Sequence, residues 1–171
     1  EIGMEDVPIP PDKIQDPQGI NLGPERTRDV CRTPMQWDAG PNAGFSPAGV
    51  ETWLPIAADY VTRNVAALSA DPHSILTLYK RLLRLRRATP ALYGGSYRPL
   101  DVEPDNVYVY LRKADAQRYL IALNFATEPR TLAIPGETGG RILLSTHLDR
   151  EEAVSLDALS LRANEGVIIA L

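Results

Sequence analysis

The stretch DPHSILTLYKRLLRLRRATPALYGGSYRPL, residues 71–100, holds the point where the hydrophobic periodicity of the chain changes kind. From Asp71 to about Ala88, Ile75, Leu76, Leu78, Tyr79, Leu82, Leu83 and Leu85 recur at three- and four-residue intervals, which predicts an amphipathic helix with a wide apolar stripe to bury. Asp71 is placed to cap its amino end, and Pro72 fills the first helical position, where a missing N–H costs nothing. Lys80, Arg81, Arg84, Arg86 and Arg87 crowd the last turns, where cations complement the carboxyl end of the helix dipole. They read as a solvated helix face rather than a nucleic-acid patch. Thr89-Pro90 and Gly94-Gly95 end the helix.

Beyond Ser96 the pattern turns to short β segments separated by turn residues. Strands are expected near 96–102, 106–113, 117–125, 129–134, 140–146, 156–161 and 166–171. Turns fall at Glu103-Pro104-Asp105, Ala114-Asp115-Ala116, Gly136 to Gly140 and Asn164-Glu165-Gly166. Evenly spaced short strands of this kind point to an antiparallel sandwich. Val107, Val109 and Leu111 alternate with Tyr108, Tyr110 and Arg112, as in a strand with one face buried.

Upstream of the helix, Pro8, Pro10, Pro11, Pro17, Pro24, Pro34, Pro41, Pro47 and Pro55 leave almost no room for regular helix before about residue 70. A loop this long is either functional or disordered. Met35, Trp37, Phe45, Trp53, Leu54 and Tyr60 favour order against a scaffold.

Composition removes several function classes. The chain has 171 residues, 44% of them hydrophobic and 23% charged, with a formal net charge of -4, so it has no basic field for nucleic acid. One cysteine, Cys31, and two histidines, His73 and His147, build neither a disulfide framework nor a zinc site. No run approaches the ~20 apolar residues of a membrane span. The opening Glu-Ile-Gly-Met has neither the basic nor the apolar segment of a signal peptide and no initiator methionine, so the chain reads as a piece of a longer protein, expected in the cytoplasm.

Few residues carry chemistry when read alone. Gly44-Phe-Ser46-Pro-Ala-Gly49 lacks the spacing of a nucleophile elbow, and Gly136-Glu-Thr-Gly139-Gly140 lacks the lysine and helix of a phosphate loop and reads as a hairpin turn. Glu151-Glu152 are adjacent in an extended segment and point to opposite faces, as solvated charges do. Cys31 reads as a packed free thiol, and His73 and His147 as surface or capping residues.

Cys31-Arg32-Thr33-Pro34-Met35-Gln36-Trp37-Asp38, followed by Pro41-Asn42-Ala43-Gly44-Phe45-Ser46, is too unusual for generic loop. It resembles the signature of family 13 glycoside hydrolases, the α-amylase family, in their oligo-1,6-glucosidase, α-glucosidase and trehalose synthase group. Glu1-Ile2-Gly3-Met4, Trp53-Leu54-Pro55, Asn64-Val65, Asp71-Pro72, Ser74, Tyr79, Leu85-Arg86-Arg87, Pro90-Ala91-Leu92 and Gly95 extend the likeness in the same order.

The resemblance implies an α+β fragment. Residues 1–93 are then the end of a (β/α)8 TIM barrel, comprising its last long loop and last helix, and residues 94–171 an all-β antiparallel Greek-key C-terminal domain. The loop lies on the face where barrel enzymes place their chemistry, and the rest of the barrel covers apolar surface that the loop and helix would otherwise expose. Members are retaining glycosidases that use two carboxyl groups ~5 Å apart. Those groups lie upstream of Glu1, so no catalytic residue is assigned to this chain, which alone should be inactive. One position carries over: Arg32, whose counterpart reaches the pocket of the terminal glucose, against the alternative that it only ties the loop to the barrel. For Trp37, burial as a loop anchor serves at least as well as sugar stacking. The implied substrate is an α-glucoside or short α-glucan, with no cofactor, metal, nucleic acid or membrane. Hydrolysis, transglucosylation and a non-enzymatic glucosidase-like relative stay open, as does a sugar-binding role for the β domain through Tyr108 and Tyr110.

Overall fold

The computed structural model describes residues 1–171 as two compact units, Glu1–Thr77 and Leu78–Leu171.

In the first unit the proline-rich chain folds through single 3-10 turns and two short helices, α1 (Pro17–Leu22) and α2 (Val65–Ala70). These two helices are the exceptions to the expectation of almost no regular helix before about residue 70. Pro17 occupies the first turn of α1, where its missing donor is harmless, and Gly23, at φ 116, stops it. Asn64 caps α2, its side-chain oxygen accepting the N–H of Ala67 at 2.8 Å. The interior of this unit is unusually polar. Asp16, Thr27, Asp29, Gln36, Asn64 and Ser74 are buried beside Ile2, Ala43, Leu54 and Leu76. A chain without sheet ladders must satisfy its buried backbone groups through side chains, and these residues supply the partners.

The long helix α3 is Ile75–Ala88, three residues shorter at its start than a helix capped by Asp71 would be. Asp71 instead accepts the N–H of His73 at 2.8 Å and closes a turn. Buried Ser74 is the cap, its hydroxyl accepting the N–H of Thr77 at 3.1 Å while donating to the carbonyl of Leu68 at 2.6 Å. Ser74→Ala should therefore cost about 1 kcal/mol in urea denaturation, and Asp71→Ala clearly less. A larger cost at Asp71 would restore it as the cap. Of the apolar stripe only Leu76 is buried, while Ile75, Tyr79 and Leu83, one turn apart, are exposed. A further short helix, α4 (Pro90–Gly94), occupies the segment that the sequence reading treated only as a terminator, with Pro90 again at its first turn.

The rest of the second unit is a sandwich. Its strands are β1 (Ser96–Leu100), β2 (Val107–Ala114), β3 (Gln117–Asn124), β4 (Arg130–Leu132), β5 (Gly139–Ser145), β6 (Ala153–Ser155), β7 (Leu159–Leu161) and β8 (Gly166–Ala170). Six pair in the order β1-β2-β3-β8-β5-β6, and β4 pairs with β7, all antiparallel. The two sheets share one core: Val109 and Leu111 of β2, Leu120 and Ala122 of β3, Ile142 of β5 and Ile169 of β8 meet Leu132 of β4 and Leu159 and Leu161 of β7. Strand β6 escaped the sequence reading because none of its three residues is fully buried, whereas the equally short β4 and β7 bury leucines that mark them as strands.

Turns fall near their expected places, but the segment Gly136 to Gly140 is not the hairpin turn expected of it: it leads from β4 of the two-stranded sheet into β5 of the six-stranded one. Asp115, at φ 52, lets Ala114 and Gln117 pair across a two-residue hairpin. Gly140 lies so close to β8 that an added Cβ would stand 2.5 Å from Ile169 and 2.7 Å from the carbonyl oxygen of Ala170.

On the outer face, Tyr97 and Tyr108 both lie against Tyr110, with ring centres 5.3 and 5.6 Å away. The hydroxyls of Tyr97 and Tyr108 hydrogen-bond each other. The rings thus satisfy one another across strands rather than standing as separate platforms.

Candidate functional site

The signature segment is built on two buried carboxylates. Asp29 begins a 3-10 turn, Asp29–Cys31, and its Oδ2 accepts the N–H groups of Gln15 and Asp16, both at 2.9 Å. Its own N–H donates to the hydroxyl of Thr27 at 3.2 Å. Asp16, the cap residue of α1, accepts the N–H of Arg28 at 2.8 Å and is gripped by its guanidinium, Nε at 3.1 and 3.2 Å and Nη2 at 2.5 Å. The pairing ties residues 15–16 to 27–29 across a loop that sequence spacing alone does not connect.

Electrostatics favour both negative charges. The Arg28 side chain holds the carboxyl of Asp16 far below the ordinary carboxylate range. At Asp29 the N–H of Asp16 lowers the pKa most, against the cost of burial. Two adjacent buried anions need two cations, and Arg28 and Arg32 supply them.

The two arginines are not equivalent. Arg28 spends its fork on Asp16. Arg32 approaches the pair through Nη1 alone, 3.5 Å from Asp29 Oδ1 and 3.7 Å from Asp16 Oδ1, and its side chain is 45% exposed. No other hydrogen bond of its guanidinium is formed within the chain apart from that to Asp29. Of the five N–H donors in its planar array, only those on Nη1 are engaged within residues 1–171.

The segment continues through buried Gln36, which donates to Asp59 Oδ1 at 3.1 Å and to the carbonyl of Arg63 at 2.8 Å. Ala43 O accepts the N–H groups of Trp37 and Asp38 at 2.8 and 3.2 Å. Asn42, Ala43 and Gly44 form a left-handed run at φ 51, 54 and 67. The Asn42 side chain stabilises it by donating to Ser46 Oγ and to the carbonyls of Pro47 and Val50. This corner turns Trp37 and Phe45 outward, 49% and 52% exposed. Of Trp37 and its neighbour Gln36, it is Gln36 that is buried within residues 1–171. Within residues 1–171 Cys31 is exposed, its thiol donating to the carbonyl of Arg28 at 3.1 Å.

The remaining candidates are structural. His73 and His147 are exposed. Glu151 pairs with Arg81 and Glu152 with Arg150, so the adjacent glutamates do not act together. The sequence reading missed Asp16 and Asp29. The only available signal was acidic residues flanking an arginine-rich loop, which singled out neither.

Comparison with known proteins places this geometry. The model of the alpha amylase catalytic domain matches residues 1–95, more than half of the chain. Salivary alpha-glucosidase of Aedes aegypti is 40% identical over 139 residues, covering 78% of this chain and 24% of that protein. Oligo-1,6-glucosidase of Parageobacillus thermoglucosidasius is 30% identical over 183 residues, covering 95% of this chain and 32% of that protein. The solved structure of trehalulose synthase MutB from Pseudomonas mesoacidophila MX-45 superposes with a TM-score of 0.74 at 34% identity, over 84% of this chain and 26% of that one. The chain spans about a quarter to a third of the relatives it matches. With the catalytic-domain match, a shared fold and a signature loop ordered around Asp16, Asp29 and Arg32, the chain belongs to the α-amylase family of glycoside hydrolases, corresponding to the end of its barrel and the β domain that follows.

Proposed function

We infer that the whole protein is a retaining α-glucosidase acting on the α-glucosidic bonds of disaccharides or short oligosaccharides. Residues 1–93 contribute the end of its catalytic barrel, residues 94–171 its C-terminal β domain, and the catalytic carboxylates come from other parts of the barrel. The observation that carries the reading is Arg32, whose guanidinium is anchored by buried carboxylates through Nη1 and has no other partner within residues 1–171. Such a group can bind sugar hydroxyls without a cofactor. Likeness to α-glucosidases and an oligo-1,6-glucosidase over most of this chain supports the substrate class.

A second reading, transglucosylation, is favoured by the similarity to trehalulose synthase MutB, a variant of which was solved with its substrate sucrose. Product analysis of the full-length protein on maltose, isomaltose, trehalose and sucrose separates the two. Free glucose as the main product from maltose or isomaltose supports the hydrolase. Isomeric disaccharides from sucrose in place of free sugars would establish the second reading. No turnover of any of the four would leave a binding role.

A further inference from the structure

We propose that Asp29 is the positioning residue of Arg32: its buried carboxylate, fixed by two backbone N–H groups, holds the Arg32 guanidinium in place before a sugar arrives. The inference rests on the reading of Arg32 as a sugar contact. Asp29 Oδ2 is occupied by the N–H groups of Gln15 and Asp16, so Asp29 cannot turn, and Oδ1 is left to face Arg32 Nη1. Asp16 cannot substitute for it, because both oxygens of Asp16 are taken by Arg28 and its contact with Arg32 is the longer one. Arg32 lies only three residues from Asp29, across the 3-10 turn Asp29–Cys31, whose closing bond runs from the N–H of Arg32 to the carbonyl of Asp29 at 3.0 Å. The same residue thus anchors both the backbone and the side chain of Arg32.

An exposed arginine samples many rotamers, and a ligand that must order it binds more weakly. A buried, immobile negative charge beside Nη1 narrows that set while leaving the outer donors free. Arg28, bound to Asp16 through Nε and Nη2, provides the counter-charge that lets two carboxylates sit together.

The test is a double-mutant cycle in the full-length protein, using whichever of maltose, isomaltose and sucrose it turns over. Asp29→Asn keeps an oxygen for the two N–H groups and removes the charge. It is expected to lower kcat/KM about tenfold when Arg32 is present and to cost nothing further in an Arg32→Ala background. Equal losses in both backgrounds would show that Asp29 acts on the loop as a whole and would overturn the positioning role alone. An Arg32→Ala enzyme with undiminished turnover would instead sink the sugar-contact reading, and the present inference with it. Should Asp29→Asn fail to fold, a crystal structure of the unmutated, sugar-free enzyme decides. Arg32 in one rotamer with Nη1 within about 4 Å of Asp29 supports the proposal; a disordered or averted side chain overturns it.

Discussion

Glu165→Ala should destabilise the β unit by about 3–5 kcal/mol, a large share of the ~5–15 kcal/mol that holds an ordinary domain together. Glu165 is only 1% exposed, in the turn before β8, yet it is charged. Its Oε1 accepts from Ser145 Oγ at 2.6 Å, Arg162 Nη2 at 2.7 Å and Arg150 Nε at 3.1 Å, and its Oε2 accepts the N–H of Arg162 at 2.8 Å. Arg162 is in turn gripped by Asp149 at 2.6 and 2.7 Å. Removing the carboxylate takes from Arg150 and Arg162 the buried partner they share and leaves the Ser145 hydroxyl and the N–H of Arg162 without their acceptor, and breaking a buried ion pair in this way is costly. Urea denaturation followed by far-UV circular dichroism measures the loss, and a change under about 1 kcal/mol would show the network to be ornamental.

The same residue sets an acid limit. Burial alone would raise the pKa of Glu165, but hydrogen bonds from Arg162 and Ser145 and the charge of Arg150 outweigh it and bring the carboxyl down to about 2. Asp149, bonded to Arg162, also titrates at about 2. Because the folded values lie below the ordinary ones of 4.5 and 3.8, this stabilisation is fully present above about pH 4.5 and drains away as the pH falls toward 2. Glu165→Gln should be less stable at neutral pH and should flatten the acid limb of the stability profile, leaving the part due to Asp149.

On the proposed α-glucosidase reading, Arg32→Ala in the full-length protein should lower kcat/KM about 100-fold with little change in melting temperature. A hydrogen bond from a charged donor contributes about 1.5–3 kcal/mol, roughly 10–150-fold, and Arg32 has donors for more than one sugar hydroxyl. Stability should hold because the side chain reaches the carboxylates only at 3.5 and 3.7 Å. Arg32→Lys should rescue little, since an ammonium lacks the planar array of donors. Arg28→Ala is the contrasting control. It strips the buried carboxylate of Asp16 of its main partner and should lower the melting temperature instead. Undiminished kcat/KM in Arg32→Ala would confine that residue to tying the loop together.

The sequence by itself determined the elements whose signals are local. Helix α3 was legible from the spacing of Ile75 to Leu85, the β2–β3 hairpin from alternation around Ala114-Asp115-Ala116, and the family from the run Cys31 to Asp38. Arg32 was legible as a site residue only through that resemblance, since an isolated arginine carries no periodic signal. Tertiary structure alone decided how side chains far apart in the chain share partners. Asp16 joins Arg28, and Asp29 joins the backbone at residues 15–16, over separations of 12 to 14 residues that leave no repeating pattern in the sequence. The choice of Ser74 over Asp71 as the cap of α3 was decided the same way, because both residue types can cap and only the fold buries one of them against Leu68 O. Hydrophobic burial is written into sequence as a period. Polar burial is written only into the geometry that brings a donor to an acceptor, which is why the strands could be read in advance and the carboxylate clamp beneath Arg32 could not.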